Sequence, residues 1–485
     1  NDKWLRIIRK TTSGNTRLEI AEEILKMAKK DAAALVNGAT EVAKNPQGMM
    51  LFDIVSQKAR TEKIDLDKNP RQVETVGGVS NTRLKFKRED GTTVFYSPEE
   101  KLDTPENSTQ KAIAGIKDEK LRAKFTALNE NDEDFFYEAY WGRMTSMETV
   151  NMQLAAANET MHNSYYDYVM KHFKHIIEVT HNAWNKTNNI APADGSFFTD
   201  PEKSSELEMI IGYIKMISRA KVGADNAGNI GGLEVGQIIS NRNVAMSRVA
   251  DLLGIGSLLA RSTNAEVTRN KKKEKGNLME QARGREAADL GKDLLTADKT
   301  DGDLQLQVTS LQLLDSICLQ ADRHFANMLY DTEMVGEGKN KQMRIKGIQG
   351  IDNDFAFSGK YKKDGSDVDN VGKTQLKQGR KILPKLFNDE ENLTIPVFDE
   401  KLADRIIALS PDVLRLAVGD IIVLNSEMEA LVQRFEAIRE AIINLKKNNP
   451  EALIKKGGWG AKTHQKLMDA KVGNYYNTFV NIDKD

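Results

Sequence analysis

The chain has 485 residues, with 70 Lys and Arg against 71 Asp and Glu, so its formal net charge is −1 at neutral pH. This balance argues against nucleic acid as a partner, because a polyanion needs a basic surface. A chain of this length predicts two or three sub-domains, each with its own core. Its single cysteine, Cys318, excludes an internal disulfide framework and a zinc site built from several thiolates.

The hydropathy of the sequence indicates whether it contains a membrane-spanning segment or a signal peptide. No window approaches 18 uninterrupted apolar residues, and the N-terminal sequence lacks the apolar region of a signal peptide. We therefore expect no transmembrane segment and a cytoplasmic protein.

The first part of the chain changes from helical to strand patterning. Apolar residues at helical spacing predict a helix over 14–45, within an N-terminal helical segment 1–75. Further on, apolar and polar residues alternate, which predicts strands at Arg83–Lys87 and Thr92–Tyr96 joined as a hairpin.

Helical spacing then dominates from about Asp118 to Arg219, which predicts a helical insertion at about 101–240. A helix over Asn243–Leu253, stopped by Gly254, follows the insertion.

Two strands, Ala265–Arg269 and Asn277–Gln281, come next. The basic run Lys271–Lys273 between them is predicted to be the solvated tip of a hairpin, in preference to a phosphate-binding patch.

The second half begins with an apolar helix from Leu304 to Cys318. Strands at Met328–Tyr330 and Met343–Ile348 follow, and helices fill Glu400–Lys447. Together these elements predict an α+β protein that is mainly helical.

Two short motifs carry the chemistry. ADRHFAN, residues 321–327, follows the apolar helix, and GIDNDF begins at the end of a later strand. Phosphoryl transfer needs a group that accepts the proton of the attacking hydroxyl and oxygen ligands that hold Mg²⁺. Asp322 fits the first role, and Asn327 and Asp352 fit the second, while Arg323 and His324 would orient the loop or neutralise developing charge. In the alternative interpretation, Asp322 caps a turn, Arg323 pairs with a nearby acid, and Asp352-Asn353-Asp354 is only a polar turn after a strand.

These motifs and the order of elements resemble the atypical kinases of the phosphoinositide-kinase-like branch, which includes actin-fragmin kinase. The resemblance implies a two-lobed kinase-like fold, with ATP and Mg²⁺ as cofactors. It divides the chain into four parts: an N-terminal segment 1–75, a small lobe 76–285 holding the insertion, a large lobe 286–448 and a C-terminal tail 449–485.

The same resemblance implies a nucleotide site. Gly77, Gly78, Ser80 and Asn81 stand where a glycine-rich loop would cover the phosphates. The strand that ends near Glu280 and Ala282 resembles the one running into the hinge, whose backbone would hydrogen-bond adenine.

Two positions depart from the family pattern. The strand Val94–Pro98 carries no Lys at the phosphate-binding position, and Asn243 stands where the partner helix should carry Glu. Lys85, Lys87 or Lys101 could reach in to replace the missing lysine.

The sequence thus predicts an ATP- and Mg²⁺-dependent phosphotransferase acting on a protein or small-molecule hydroxyl, with a protein partner possible at the helical insertion. The alternatives are a pseudokinase that acts as a binding scaffold, and a nucleotidyltransferase that transfers AMP from the same metal site. A bacterial effector acting in a host cytosol would fit a kinase body with large helical additions.

Overall fold

The fold is known here from a computed structural model. It describes residues 61–68, 73–77, 82–88, 90–99, 101–131, 134–141, 201–229, 232–338, 341–358, 386–387, 393–422, 424–471 and 473–482. The helix expected over 14–45 lies outside these residues, as does the middle of the expected insertion, 142–200.

The described residues form a mixed α+β structure. The strands are β1 Glu62–Asp65, β2 Glu74–Gly77, β3 Thr82–Lys87, β4 Thr93–Pro98, β5 Ser262–Arg269, β6 Lys272–Glu280, β7 Arg285–Glu286, β8 Met328–Val335, β9 Gln342–Gly350, β10 Phe398–Asp399 and β11 Leu453–Ile454. The helices are α1 Pro105–Ala114, α2 Glu119–Asn131, α3 Phe135–Trp141, α4 Pro201–Asn229, α5 Asn241–Leu252, α6 Ala287–Leu290, α7 Lys292–Thr296, α8 Gly302–Cys318, α9 Glu400–Ala408, α10 Pro411–Val418, α11 Asn425–Asn448, α12 Ala461–Met468 and α13 Tyr475–Val480.

The chain divides into two compact units. The first comprises residues 1–76, 82–101 and 229–485, and the second comprises 77–81 and 102–228. The second unit thus falls largely within the range expected for the helical insertion. The expected small and large lobes, 76–285 and 286–448, share the first unit apart from that insertion and residues 77–81.

Residues 102–228 of the second unit are mainly helical where they are described. Thr104 caps α1 by accepting a hydrogen bond from the backbone N–H of Asn107 (3.1 Å), which satisfies one of the free amides at a helix start. Phe125 on α2 contacts Tyr213 on α4 edge to face, with ring centroids 6.1 Å apart. The buried apolar residues of this part of the chain include Ile113, Ile116, Leu121, Phe125, Leu128, Phe135, Phe136, Ile214 and Ile217.

In the first unit, a six-stranded sheet has the order β1-β5-β6-β4-β3-β2. The predicted β3–β4 hairpin is present, with Leu84 opposite Tyr96. Alternation along the strands places one set of side chains on a single face, where they form a small apolar core. Its members are Leu66, Leu84, Phe86, Val94, Tyr96, Ala265, Val267 and Leu278.

The hairpin predicted at the basic run is present, but its tip lies one residue earlier. Asn270 and Lys271 form the turn, with φ of +51° and +61°, while Lys272 and Lys273 already belong to β6. Asp67 accepts hydrogen bonds from both turn amides, at 2.8 and 2.7 Å. Asn tolerates a positive φ better than most residues, which favours the turn at this position.

A larger core surrounds α8, which is buried along most of its length. Asp301 caps the start of α8 through the amides of Asp303 and Leu304, at 2.8 and 3.3 Å. The helix α5 ends as predicted before Gly254, whose φ of +73° is a left-handed conformation that glycine adopts freely. The three-stranded sheet β7-β8-β9 also contributes Tyr330 and Ile348 to this core.

Residues 449–485, expected as a tail, fold into this core in their described part. Tyr476 and Phe479 on α13 are buried, and the Phe479 ring stacks on Tyr330 with centroids 5.5 Å apart. The Tyr475 hydroxyl donates to the buried carboxylate of Asp315 on α8 (3.1 Å). The C-terminal helices therefore belong to the first unit, whose central helix they cover.

Among the described residues, no helix combines the length and the hydropathy that a membrane span requires.

Candidate functional site

The ADRHFAN motif forms a tight loop between α8 and β8. Leu319 ends α8 with a φ of +51°, which turns the chain out of the helix. At the other end, Phe325–Asn327 form a short 3₁₀ turn. The side-chain amide of Asn327 donates to the backbone carbonyl of Asp322 (2.9 Å). Asp322, the predicted proton acceptor, and Asn327, a predicted metal ligand, therefore lie on opposite sides of one closed loop.

The second motif reaches the same place because β8 and β9 are paired. Met328 lies opposite Gly350, and the amide of Ile351 donates to the carbonyl of Asn327 (3.0 Å). Asp352 follows immediately, in a left-handed conformation with φ of +55°. Gln320, in the first loop, donates to the backbone carbonyl of Asp352 (2.7 Å). The structure therefore brings the loops of Asn327 and Asp352 into direct contact.

Arg323 fixes the two loops to each other and to α8. Its guanidinium donates to both carboxylate oxygens of Asp315, at 2.9 and 3.1 Å, and to the carbonyls of Asn327 and Ile351, at 2.8 Å each. A further bond, of 2.5 Å, reaches the side-chain oxygen of Asn353. Arg323 is 1% exposed and bonds to protein partners on both loops. Its pairing with Asp315 is the contact expected in the alternative interpretation, in which Arg323 pairs with a nearby acid.

His324, close to Asp322, is 3% exposed. Its Nδ1 accepts a hydrogen bond from the amide of Ala326 (3.2 Å), so a neutral ring carries its proton on Nε2. That nitrogen is 3.8 Å from a carboxylate oxygen of Asp322. The ring therefore stands beside the carboxylate of Asp322.

Asp354 is a carboxylate that the sequence interpretation left without a role. It is 9% exposed. Burial and the negative charge of Asp352 raise its pKa to about 8, with a smaller contribution from Asp322. Arg83 opposes this rise. Below about pH 8 the raised pKa favours the neutral, protonated form of Asp354, because its carboxylate would be repelled by Asp352 and Asp322.

The donors present suit Mg²⁺, which prefers carboxylate and amide oxygens. In the part of the chain that the structure describes, no group of three or more His, Cys, Asp or Glu side chains is arranged to hold a metal ion. A Mg²⁺ ion at these loops would therefore use Asp352 and the amide oxygen of Asn327, with other ligands from phosphate and water. Mg²⁺ on a nucleotide commonly has such an incomplete protein shell.

A cation that the sequence interpretation missed contacts the second loop. Arg83 on β3 donates to the Asp352 carboxylate at 3.1 Å. Lys85, one of the predicted replacements for the absent lysine, instead pairs with Glu74 (3.2 Å). Lys87 and Lys101, the other two, are exposed. No local pattern marks Arg83, because its partner lies 269 residues away in sequence.

The helix α5 also contacts the second loop, although it lacks the expected glutamate. The side-chain oxygen of Asn243 accepts the backbone N–H of Asn353 (2.8 Å). The neighbouring Arg242 donates to the carbonyl of Ala356 and pairs with the buried carboxylate of Glu427. The helix thus holds the loop by contacts with its main chain.

The predicted nucleotide contacts are described only in part. Gly77 is the last residue of β2, while Gly78, Ser80 and Asn81 lie outside the described residues. Glu280 ends β6, where its carboxylate accepts from Arg88 (3.0 Å) and its amide donates to the carbonyl of Arg261 (2.9 Å). Ala282 follows in the segment that leads to β7.

A groove of about 500 Å³ lies elsewhere, along α1 and α2 of the second unit, and contains none of these residues.

No protein-family model matches the chain, and no curated protein matches it.

Proposed function

We propose that the chain is an ATP- and Mg²⁺-dependent phosphotransferase of the atypical kinase type, acting on a protein or small-molecule hydroxyl. The observation that carries this proposal is the pairing of the two loops by Arg323, which sets Asn327 and Asp352 at adjacent strand ends. Phosphoryl transfer depends mainly on positioning and on neutralising charge, and a rigid pair of oxygen ligands supplies both through Mg²⁺.

The order of elements supports a two-lobed kinase-like fold. A strand hairpin, the helix α5 and two further strands precede the segment at Ala282, and α8 then leads into the loop with Asp322. In this assignment β3 to β6 belong to the small lobe. The helices α8 to α11 belong to the large lobe.

Each site residue then has a chemical role. Asp322, 17% exposed at its side chain, would accept the proton of the acceptor hydroxyl, and His324 would keep that carboxylate in position. Asn327 and Asp352 would hold Mg²⁺, which supplies positive charge to the phosphates. Residues 102–228 of the second unit are the proposed region for recognition of a protein partner, and the cytoplasm is the proposed compartment.

Binding and transfer test the proposal separately. Calorimetric titration with ATP and Mg²⁺ should show Mg²⁺-dependent binding, which Asp352→Ala abolishes and Asp322→Ala largely retains. Asp331→Ala is the matched control, because this aspartate on β8 is exposed and outside the two loops. Equal losses of binding in Asp352→Ala and Asp322→Ala would contradict the separate roles.

Labelled nucleotides distinguish the competing functions. Incubation with γ-labelled ATP should transfer label to an acceptor, and Asp322→Ala should remove that transfer. Transfer from α-labelled ATP instead would identify an AMP transferase. Binding without transfer of either label, across a panel of protein and small-molecule acceptors, would favour a pseudokinase.

A further inference from the structure

The cation on β3 is unlike its neighbours on the same strand. Leu84 and Phe86 point into the small apolar core, so alternation places Arg83 and Lys85 on the opposite face of the sheet. On that face, Lys85 is paired with Glu74. Arg83 instead reaches the loop that follows β9.

Arg83 contacts the carboxylate of Asp352 at 3.1 Å, and Asp354 lies two residues further along the same loop. The contact with Asp352 is also accessible, since the Arg83 side chain is 24% exposed and that of Asp352 is 39% exposed. Both members of the pair can therefore meet a ligand from solvent without unfolding the loops.

The ion pair uses the carboxylate proposed to bind Mg²⁺. A Mg²⁺ ion on Asp352 would compete with the guanidinium of Arg83 for the same carboxylate oxygens. The phosphates brought with that ion would offer Arg83 another negatively charged partner in place of the carboxylate. Guanidinium groups bind phosphate oxygens in paired, charge-assisted hydrogen bonds.

We propose that Arg83 is the phosphate-contacting cation of this site, in place of the lysine missing from β4, and that it rests on Asp352 until a Mg²⁺-nucleotide arrives. This inference rests on the proposed nucleotide site. It assigns Arg83 two successive partners: the carboxylate first, and the phosphates once Mg²⁺ takes over that carboxylate.

This exchange of partners predicts that removing Arg83 changes the affinities for a Mg²⁺-nucleotide and for a divalent cation alone in opposite directions. Removing Arg83 should weaken binding of a Mg²⁺-nucleotide by about ten- to a hundredfold, because a charge-assisted contact to phosphate is lost. The same change should strengthen binding of a divalent cation alone by several-fold, because the cation no longer competes with a guanidinium for Asp352. Removing an arginine that only supports the fold would not change these two affinities in opposite directions.

The experiment measures both affinities on the full chain at pH 8. Calorimetry gives the affinity for Mg²⁺-ATP and Mg²⁺-ADP, and electron paramagnetic resonance gives the affinity for Mn²⁺ alone. The variants are Arg83→Ala, Arg83→Lys and Lys85→Ala. The last is the matched control, because it removes a cation two residues away that is already paired with Glu74.

We expect Arg83→Ala to bind both nucleotides more weakly and Mn²⁺ more tightly. Arg83→Lys should keep part of the nucleotide affinity, and Lys85→Ala should match the unaltered chain. Unchanged nucleotide affinity in Arg83→Ala, or a loss of Mn²⁺ affinity, would overturn the inference while leaving the proposed function intact. If the unaltered chain binds no nucleotide, the proposed function and the inference both fail.

Discussion

Replacing Arg323 by methionine tests whether one buried guanidinium holds the two loops together. The substitution removes five hydrogen bonds made by the guanidinium. The Asp315 carboxylate, which is 2% exposed, loses its charged partner and keeps the hydrogen bond from the Tyr475 hydroxyl. Removing one member of a buried ion pair typically costs about 3–5 kcal/mol. The carbonyls of Asn327 and Ile351 also lose a donor, at about 1 kcal/mol each.

We therefore expect Arg323→Met to lower the free energy of unfolding by about 5–7 kcal/mol, a large fraction of the 5–15 kcal/mol typical of a folded domain. Urea unfolding followed by circular dichroism measures this loss. Hydrogen–deuterium exchange of peptides covering 319–327 and 350–358 locates it. Both peptides should lose protection together, because the same guanidinium bonds to both loops.

Two further variants show whether the reasoning is correct. Arg415→Met removes one member of an exposed ion pair with Glu429 (3.0 Å), and should cost less than about 1 kcal/mol. Adding Asp315→Asn to Arg323→Met removes the unpaired buried charge and should recover part of the loss. A cost for Arg323→Met no larger than that of Arg415→Met would refute the account of the two loops.

Three other predictions concern the surroundings of the site. Between about pH 4 and 8, the folded state keeps a proton on Asp354 that the unfolded state loses, so this residue makes the free energy of unfolding fall as pH rises, by up to about 1.4 kcal/mol per pH unit. The urea midpoint of Asp354→Asn should therefore fall less steeply across this range than that of the unaltered chain. Asn243→Ala leaves the buried amide of Asn353 without its acceptor, and should cost about 1–3 kcal/mol in urea unfolding, with faster exchange of that amide; unchanged exchange would contradict it. Gly284→Ala should lower the melting temperature, because φ is +105° there and a Cβ would lie 2.7 Å from the Tyr330 backbone; equal melting temperatures would show that this close approach relaxes without cost.

Local periodicity was sufficient for many elements of the first unit. The β3–β4 hairpin, α5 and α8 were predicted within a few residues, because alternating or helical apolar spacing reflects which face is buried. The tip of the hairpin at the basic run lies one residue earlier than predicted. Its position depends on two residues with positive φ and on hydrogen bonds from their amides to Asp67, which is distant in sequence.

The site itself was predictable only where its residues are neighbours in sequence. Asp322 and Asn327 share one loop, so their spacing indicated a common role. The contacts of Arg83 with Asp352 and of Asn243 with Asn353 join segments separated by 269 and 110 residues, and no spacing rule reports such pairs. The burial of Arg323 was equally hidden, because an arginine in a polar motif has the same sequence signal whether it faces solvent or the protein interior.

The contact between Asn243 and the backbone of Asn353 also affects how the protein responds to its ionic surroundings. An ion pair linking a helix to a catalytic loop would weaken as salt screens the charges. Here both partners are uncharged, and the bond is buried. The position of α5 relative to the loop of Asp352 should therefore be insensitive to ionic strength, whereas occupancy of the more exposed Arg83–Asp352 pair should decline as salt is added.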